Sequence, residues 1–124
     1  MVGKFAQLIG IVFVAVGVLG FVPALITDGK LLTLFPINGM HNAVHILLGV
    51  WGIAVAKNAA NALMYSKSIA GIYALLAVLG LIPATNMLFG LAPIGGMDVG
   101  LHAVLAILAG YFGFGPPSKA KASA

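Results

Sequence analysis

Four apolar stretches of helical length, at about 5–26, 40–56, 68–87 and 99–114, run through this chain with single charges, glycines and prolines between them. At 1.5 Å per residue each comes near the roughly 30 Å of a bilayer's hydrocarbon core, the second and fourth falling somewhat short. Strand-like alternation is missing, and backbone polar groups in lipid must be satisfied within their own segment, so helices are expected rather than a barrel. Only 6% of the 124 residues are charged, against roughly a quarter in soluble domains, and the mean hydropathy is +1.18. Such a chain cannot coat a water-soluble globule. The expected fold is an all-α membrane protein with four transmembrane helices in one domain, 1–115, followed by a basic cytoplasmic tail at 116–124. The first stretch follows Lys4 as a signal peptide would, but it is too long for an h-region and has no small-x-small cleavage site, so it reads as a mature helix.

The charges orient the chain. Lys4 precedes the first stretch, Lys57 and Lys67 flank the link after the second, and Lys119 and Lys121 follow the fourth, while the opposite side carries only Lys30, offset by Asp28. Positive charge resists translocation, which makes both termini cytoplasmic in a bacterial inner or photosynthetic membrane. The six basic residues are all scattered lysines, so no groove for nucleic acid can be assembled. With no cysteine, disulfides, thiolate metal sites and thiol catalysis are excluded together.

The strongest internal pattern is a duplication. The string from Pro36 through Ile37, Gly39, Met40 and His45 recurs in register as Pro93, Ile94, Gly96, Met97 and His102, and Leu19, Gly20 and Pro23 answer Leu79, Gly80 and Pro83. Each copy, at about 5–57 and 66–115, is one helical hairpin, so the two repeats are expected to be like-oriented about an axis along the membrane normal. The apolar pieces at 31–37 and 87–94, too short to cross, are expected along the outer interface. Small residues recur at helical spacing, among them Gly49 and Gly52 in the second stretch and Gly110 and Gly113 in the fourth, and fit close helix packing. Trp51 is expected to pack within its span, and Tyr65 and Tyr111 to join an aromatic belt.

Every histidine and one of the two acids fall inside the duplicated motif. His41 and His45, spaced i and i+4, share one helix face, and Asp98 and His102 occupy the same two places in the second copy. Three readings stand. In the first, Asn38, Asn42 and Asp98 form a structural polar network with the imidazoles, capping helix N-termini. In the second, His45 and His102 ligate haem or chlorophyll, with Gly49 and Gly100 making room for the macrocycle. In the third, His41, His45, Asp98 and His102 form a divalent metal or proton site. Catalysis is poorly served: Ser66, Ser68, Ser118 and Ser123 are expected on the cytoplasmic side, opposite the histidines, and phosphate-loop and metalloprotease spacings are absent.

The string Leu34, Phe35, Pro36, Ile37, Asn38, Gly39 followed by His41, Asn42 and His45, then Tyr73, then Gly90, Leu91, Ala92, Pro93 with Asp98 and His102, resembles the bacterial family called domain of unknown function 4383. The resemblance covers about 5–114 and implies four transmembrane helices with no established activity, substrate or cofactor. Asn42 stands three residues before His45 but Asp98 four before His102, so the copies are not interchangeable and a ligand needing strict twofold symmetry is disfavoured. The resulting expectation is a non-enzymatic scaffold or accessory subunit, with lipid and other membrane subunits or copies of itself as partners.

Overall fold

The computed structural model describes residues 2–32 and 35–115. The tail at 116–124, expected to be basic, lies outside the described residues. Four helices form the body: α1 (Val2–Leu19), α2 (Gly39–Val55), α3 (Ala59–Leu81) and α4 (Met97–Phe114). Of these, α1, α3 and α4 are long and apolar enough to cross a membrane, and α2 has 17 residues.

Helix ends depart from the apolar stretches for local reasons. The first stretch runs to 26, but α1 stops at Leu19 because Gly20 lies directly against the Asn42 side chain and Pro23 opens a short 3-10 turn, Pro23–Leu25. Conversely, the link expected between Lys57 and Lys67 shrinks to 56–58. Asn58 caps α3, its side chain accepting from the Asn61 N–H at 2.9 Å, and Ala59–Leu81 is helical throughout. Helix α3 thus begins at Ala59, ahead of the apolar stretch that starts at 68.

Between α1 and α2 the chain makes a small antiparallel sheet, order β1-β2-β3, from Ile26–Thr27 (β1), Lys30–Leu31 (β2) and Phe35–Pro36 (β3). Asp28 and Gly29, with φ of 52° and 73°, make the left-handed two-residue turn that suits a tight hairpin. The connection 82–96 has no strand. It is held by the Thr85 hydroxyl donating to the Leu79 carbonyl at 2.7 Å, and passes through left-handed backbone at Leu88, Phe89 and Gly90. The two apolar connecting pieces are therefore built differently.

The tightest packing joins α1 to α2 and α3 to α4, antiparallel in each case. Glycines permit it: a Cβ on Gly10 would lie 2.6 Å from the Gly49 carbonyl oxygen, one on Gly52 2.7 Å from that of Ala6, and one on Gly113 2.9 Å from the Lys67 nitrogen. Phe5 stacks on Phe112 at 4.6 Å between ring centroids, tying α1 to α4. Tyr65 is fully buried rather than set in an interfacial belt. Its hydroxyl donates to the Leu48 carbonyl at 2.9 Å and its ring meets Trp51 edge-on at 4.9 Å, while Tyr111 is exposed. Trp51 therefore packs within the bundle, as expected.

Candidate functional site

Polar side chains gather where α2 and α4 begin. His41, Asn42, His45, Asp98 and His102 are all buried, within the first two turns of their helices. Asn38 caps α2, its Oδ1 accepting from the His41 N–H at 2.8 Å, while its Nδ2 donates to the Leu91 carbonyl at 3.0 Å and so ties connection 82–96 to the start of α2. Asp98 does not cap: Gly96 occupies the cap position with φ of 64°, and the carboxylate sits in the first turn, at the positive end of the α4 dipole.

Asn42 points away from the histidines and donates from Nδ2 to the Gly20 carbonyl at 2.8 Å, at the close of α1. Asn42→Ala would leave that buried carbonyl without its partner, and we expect a loss of about 1–2 kcal/mol in stability. Reversible unfolding in mixed micelles would measure it.

The remaining groups converge from both helix pairs. His41 Nδ1 stands 3.9 Å from Asp98 Oδ2, and one ligand-type atom from each of His41, Asp98 and His102 lies within 4.8 Å of the other two. His45 is a neighbour of this trio rather than part of it, its ring 4.5 Å from that of His41, between centroids, and 5.6 Å from that of Phe13. Tyr73 meets His102 edge-on at 5.0 Å and Phe13 at 5.5 Å. All four helices therefore wall the cluster. Phe13, from α1, was not distinguished by any motif, and Tyr73 entered only through the family string. Among the described residues Asp98 Oδ2, His45 Nδ1 and His102 Nδ1 have no hydrogen-bond partner, so the cluster is not a self-satisfied network.

Beside the histidines lies a cavity of about 120 Å³, lined by His41, His45, Tyr73, His102 and, from connection 82–96, Leu88 and Leu91. Small-molecule sites enclose about 300–1,000 Å³, so a tetrapyrrole does not fit here. Nor do the glycines make room for one. Gly49 is packed against Gly10 and Val14 of α1, and Gly100 faces open space on the outside of α4. The cavity does suffice for a few waters, which need about 10–15 Å³ each.

Fold and site together define a small helical protein that is apolar outside and carries a buried histidine and carboxylate cluster at one end. The chain matches the family model described as domain of unknown function (DUF4383) over residues 4–115, and it belongs to that family. Comparison with curated proteins and with solved structures gave no match.

Proposed function

We propose that this chain is an integral membrane protein that crosses the bilayer four times, and that it serves as a non-enzymatic scaffold or accessory subunit of a larger membrane assembly. The observation that carries the membrane reading is its inverted polarity: Leu47, Leu81, Ile107 and Phe114 are among many large apolar side chains turned outward, while three histidines and Asp98 are inside. A soluble protein rarely exposes apolar surface on such a scale. At 17 residues α2 spans about 26 Å, a mismatch that local thinning or a tilt of its neighbours accommodates.

The accessory role is supported by chemistry and by surface. Ser68 donates to the Met64 carbonyl, and Ser66 is buried in the first half of α3, so neither pairs with a histidine base. Gly71 and Gly100 leave bare backbone on outward faces where a partner helix can approach. The duplication reading gains support from one matched pair of contacts: Gly20 abuts Asn42, and Gly80 abuts Val99, the residue corresponding to Asn42 in the second copy.

Lys4, Lys57 and Lys67 belong to the end opposite the histidines, with Lys67 Nζ 5.5 Å from the centre of the Phe114 ring at the close of α4, and we assign that end to the cytoplasm. In intact cells a membrane-impermeant amine reagent is expected to modify Lys30, which is exposed on β2, and to leave Lys57 untouched until the membrane is opened. Modification of Lys57 in sealed cells would reverse the topology. Gentle detergent extraction is expected to yield the chain within a larger complex; a solitary monomer would remove the accessory role.

A further inference from the structure

The buried trio on α2 and α4 has the donor chemistry of a metal centre, and two of its members, Asp98 and His102, each keep a buried polar atom without a hydrogen bond. We propose that His41, Asp98 and His102 bind one divalent transition-metal ion of the zinc type, with a further coordination position open to the adjoining cavity. This site is independent of whether the chain serves as a subunit.

Three observations carry it. Two imidazoles and a carboxylate are a ligand set for zinc, which in open sites takes three protein donors and one water. Calcium and magnesium prefer oxygen donors throughout, so the two histidines select against them. The geometry is near what is needed: bonds of about 2.0–2.2 Å place tetrahedral donors about 3.3–3.6 Å apart. The donor atoms here lie within 4.8 Å, so side-chain movements on the order of 1 Å close the site. The third observation is the state of the donors themselves. Asp98 and His102 are 2% and 1% exposed, yet Asp98 Oδ2 and His102 Nδ1 engage no hydrogen-bond donor or acceptor among the described residues. Leaving a carboxylate and an imidazole so placed costs a few kcal/mol, which a cation between them offsets. The cavity of about 120 Å³ beside His41 and His102 has room for the water that completes the coordination sphere.

The ion also has a mechanical place. His41 belongs to the α1 and α2 pair, Asp98 and His102 to the α3 and α4 pair, so a bound metal joins two units whose mutual packing is looser than the packing within each. Its binding free energy is thereby added to the stability of the assembled bundle.

The test uses the full chain in mild detergent, stripped with a chelator and titrated separately with Zn²⁺ and Co²⁺. A single equivalent of Zn²⁺ per chain is expected, with a visible Co²⁺ spectrum of low-symmetry, four-coordinate type, and neither Ca²⁺ nor Mg²⁺ should compete. His102→Ala and Asp98→Asn are expected to weaken Zn²⁺ binding by more than about 100-fold, beyond what losing an outer partner of a ligand costs. His45→Phe, which keeps an aromatic ring between His41 and Phe13 but lies outside the trio, should change it by less than about 10-fold. Helical circular dichroism and elution volume verify folding, and Asp98→Asn, nearly isosteric, keeps the test decisive should His102→Ala fail to fold. The proposal is overturned if the wild-type chain takes up well under one equivalent, if Asp98→Asn binds as tightly as wild type, or if His45→Phe loses the metal as completely as the trio variants do.

Discussion

In Gly49→Leu, α1 and α2 are expected to separate and the purified protein to lose its monodisperse form. Even the first carbon of a side chain at this position would meet Val14 Cγ2 at 2.7 Å and the Val14 nitrogen at 2.8 Å, besides the Gly10 carbonyl oxygen. Two of those neighbours are backbone atoms, which cannot swing aside as a flexible side chain can. Overpacking a core costs about 1–3 kcal/mol where side chains can yield, and more where helices must part. Gly100 provides the control. It too is a helical glycine, but a Cβ there meets nothing within 4 Å, so Gly100→Ala should be neutral or gain up to about 1 kcal/mol in helix propensity. Thermal unfolding and size-exclusion profiles of the two variants in one detergent would measure the contrast. Equal stability would mean that α1 and α2 do not cross at Gly10 and Gly49.

Tyr65 supports the second large effect, because it fills space and makes a bond at once. Its side chain has no exposed surface, contacts Trp51 of α2 and reaches across to the Leu48 carbonyl. Tyr65→Ala removes the whole ring from a close-packed site and is expected to cost about 3–5 kcal/mol. Tyr65→Phe removes only the hydroxyl, and about 0.5–1.5 kcal/mol is expected from that bond. Urea or denaturing-detergent titration of both variants separates the terms. A Phe variant as damaged as the Ala variant would make the hydrogen bond, rather than the packing, the main contribution.

The four helices were legible because charges, glycines and prolines are so rare between apolar runs that each interruption is informative. Their ends were less so. Hydropathy continues past Leu19 without a break; Pro23 was a visible stop, but the approach of Gly20 to Asn42 that ends α1 earlier is a contact between segments far apart in sequence. At α3 the charge on Lys67 suggested a loop, although Asn58 followed by alanines was a readable cap, and the exposed ammonium over Phe114 is compatible with helix. Asp28 and Gly29 are likewise a readable hairpin signal, since both residues suit the left-handed backbone of a tight two-residue turn.

The cluster divides the same way. The i and i+4 spacing correctly gives His41 and His45 a common face, yet helical period does not say which of the two looks toward α4. The structure brings His41, Asp98 and His102 together and leaves His45 against Phe13. Asn38 was readable as a cap because a polar residue just before a helix has one common use. Asn42 was grouped with it on residue type alone, and its actual bond to the Gly20 carbonyl depends on how α1 ends.

The connections are unevenly distributed. Only 56–58 joins α2 to α3, whereas 20–38 and 82–96 both lie at the other end of the bundle, where Asn38 links one to the other. Among the described residues, the histidine end carries folded connections in front of its helices, while the other end has helix termini and one tight bend. Among the described residues the two ends thus offer unequal purchase to proteases, antibodies and diffusing ions alike.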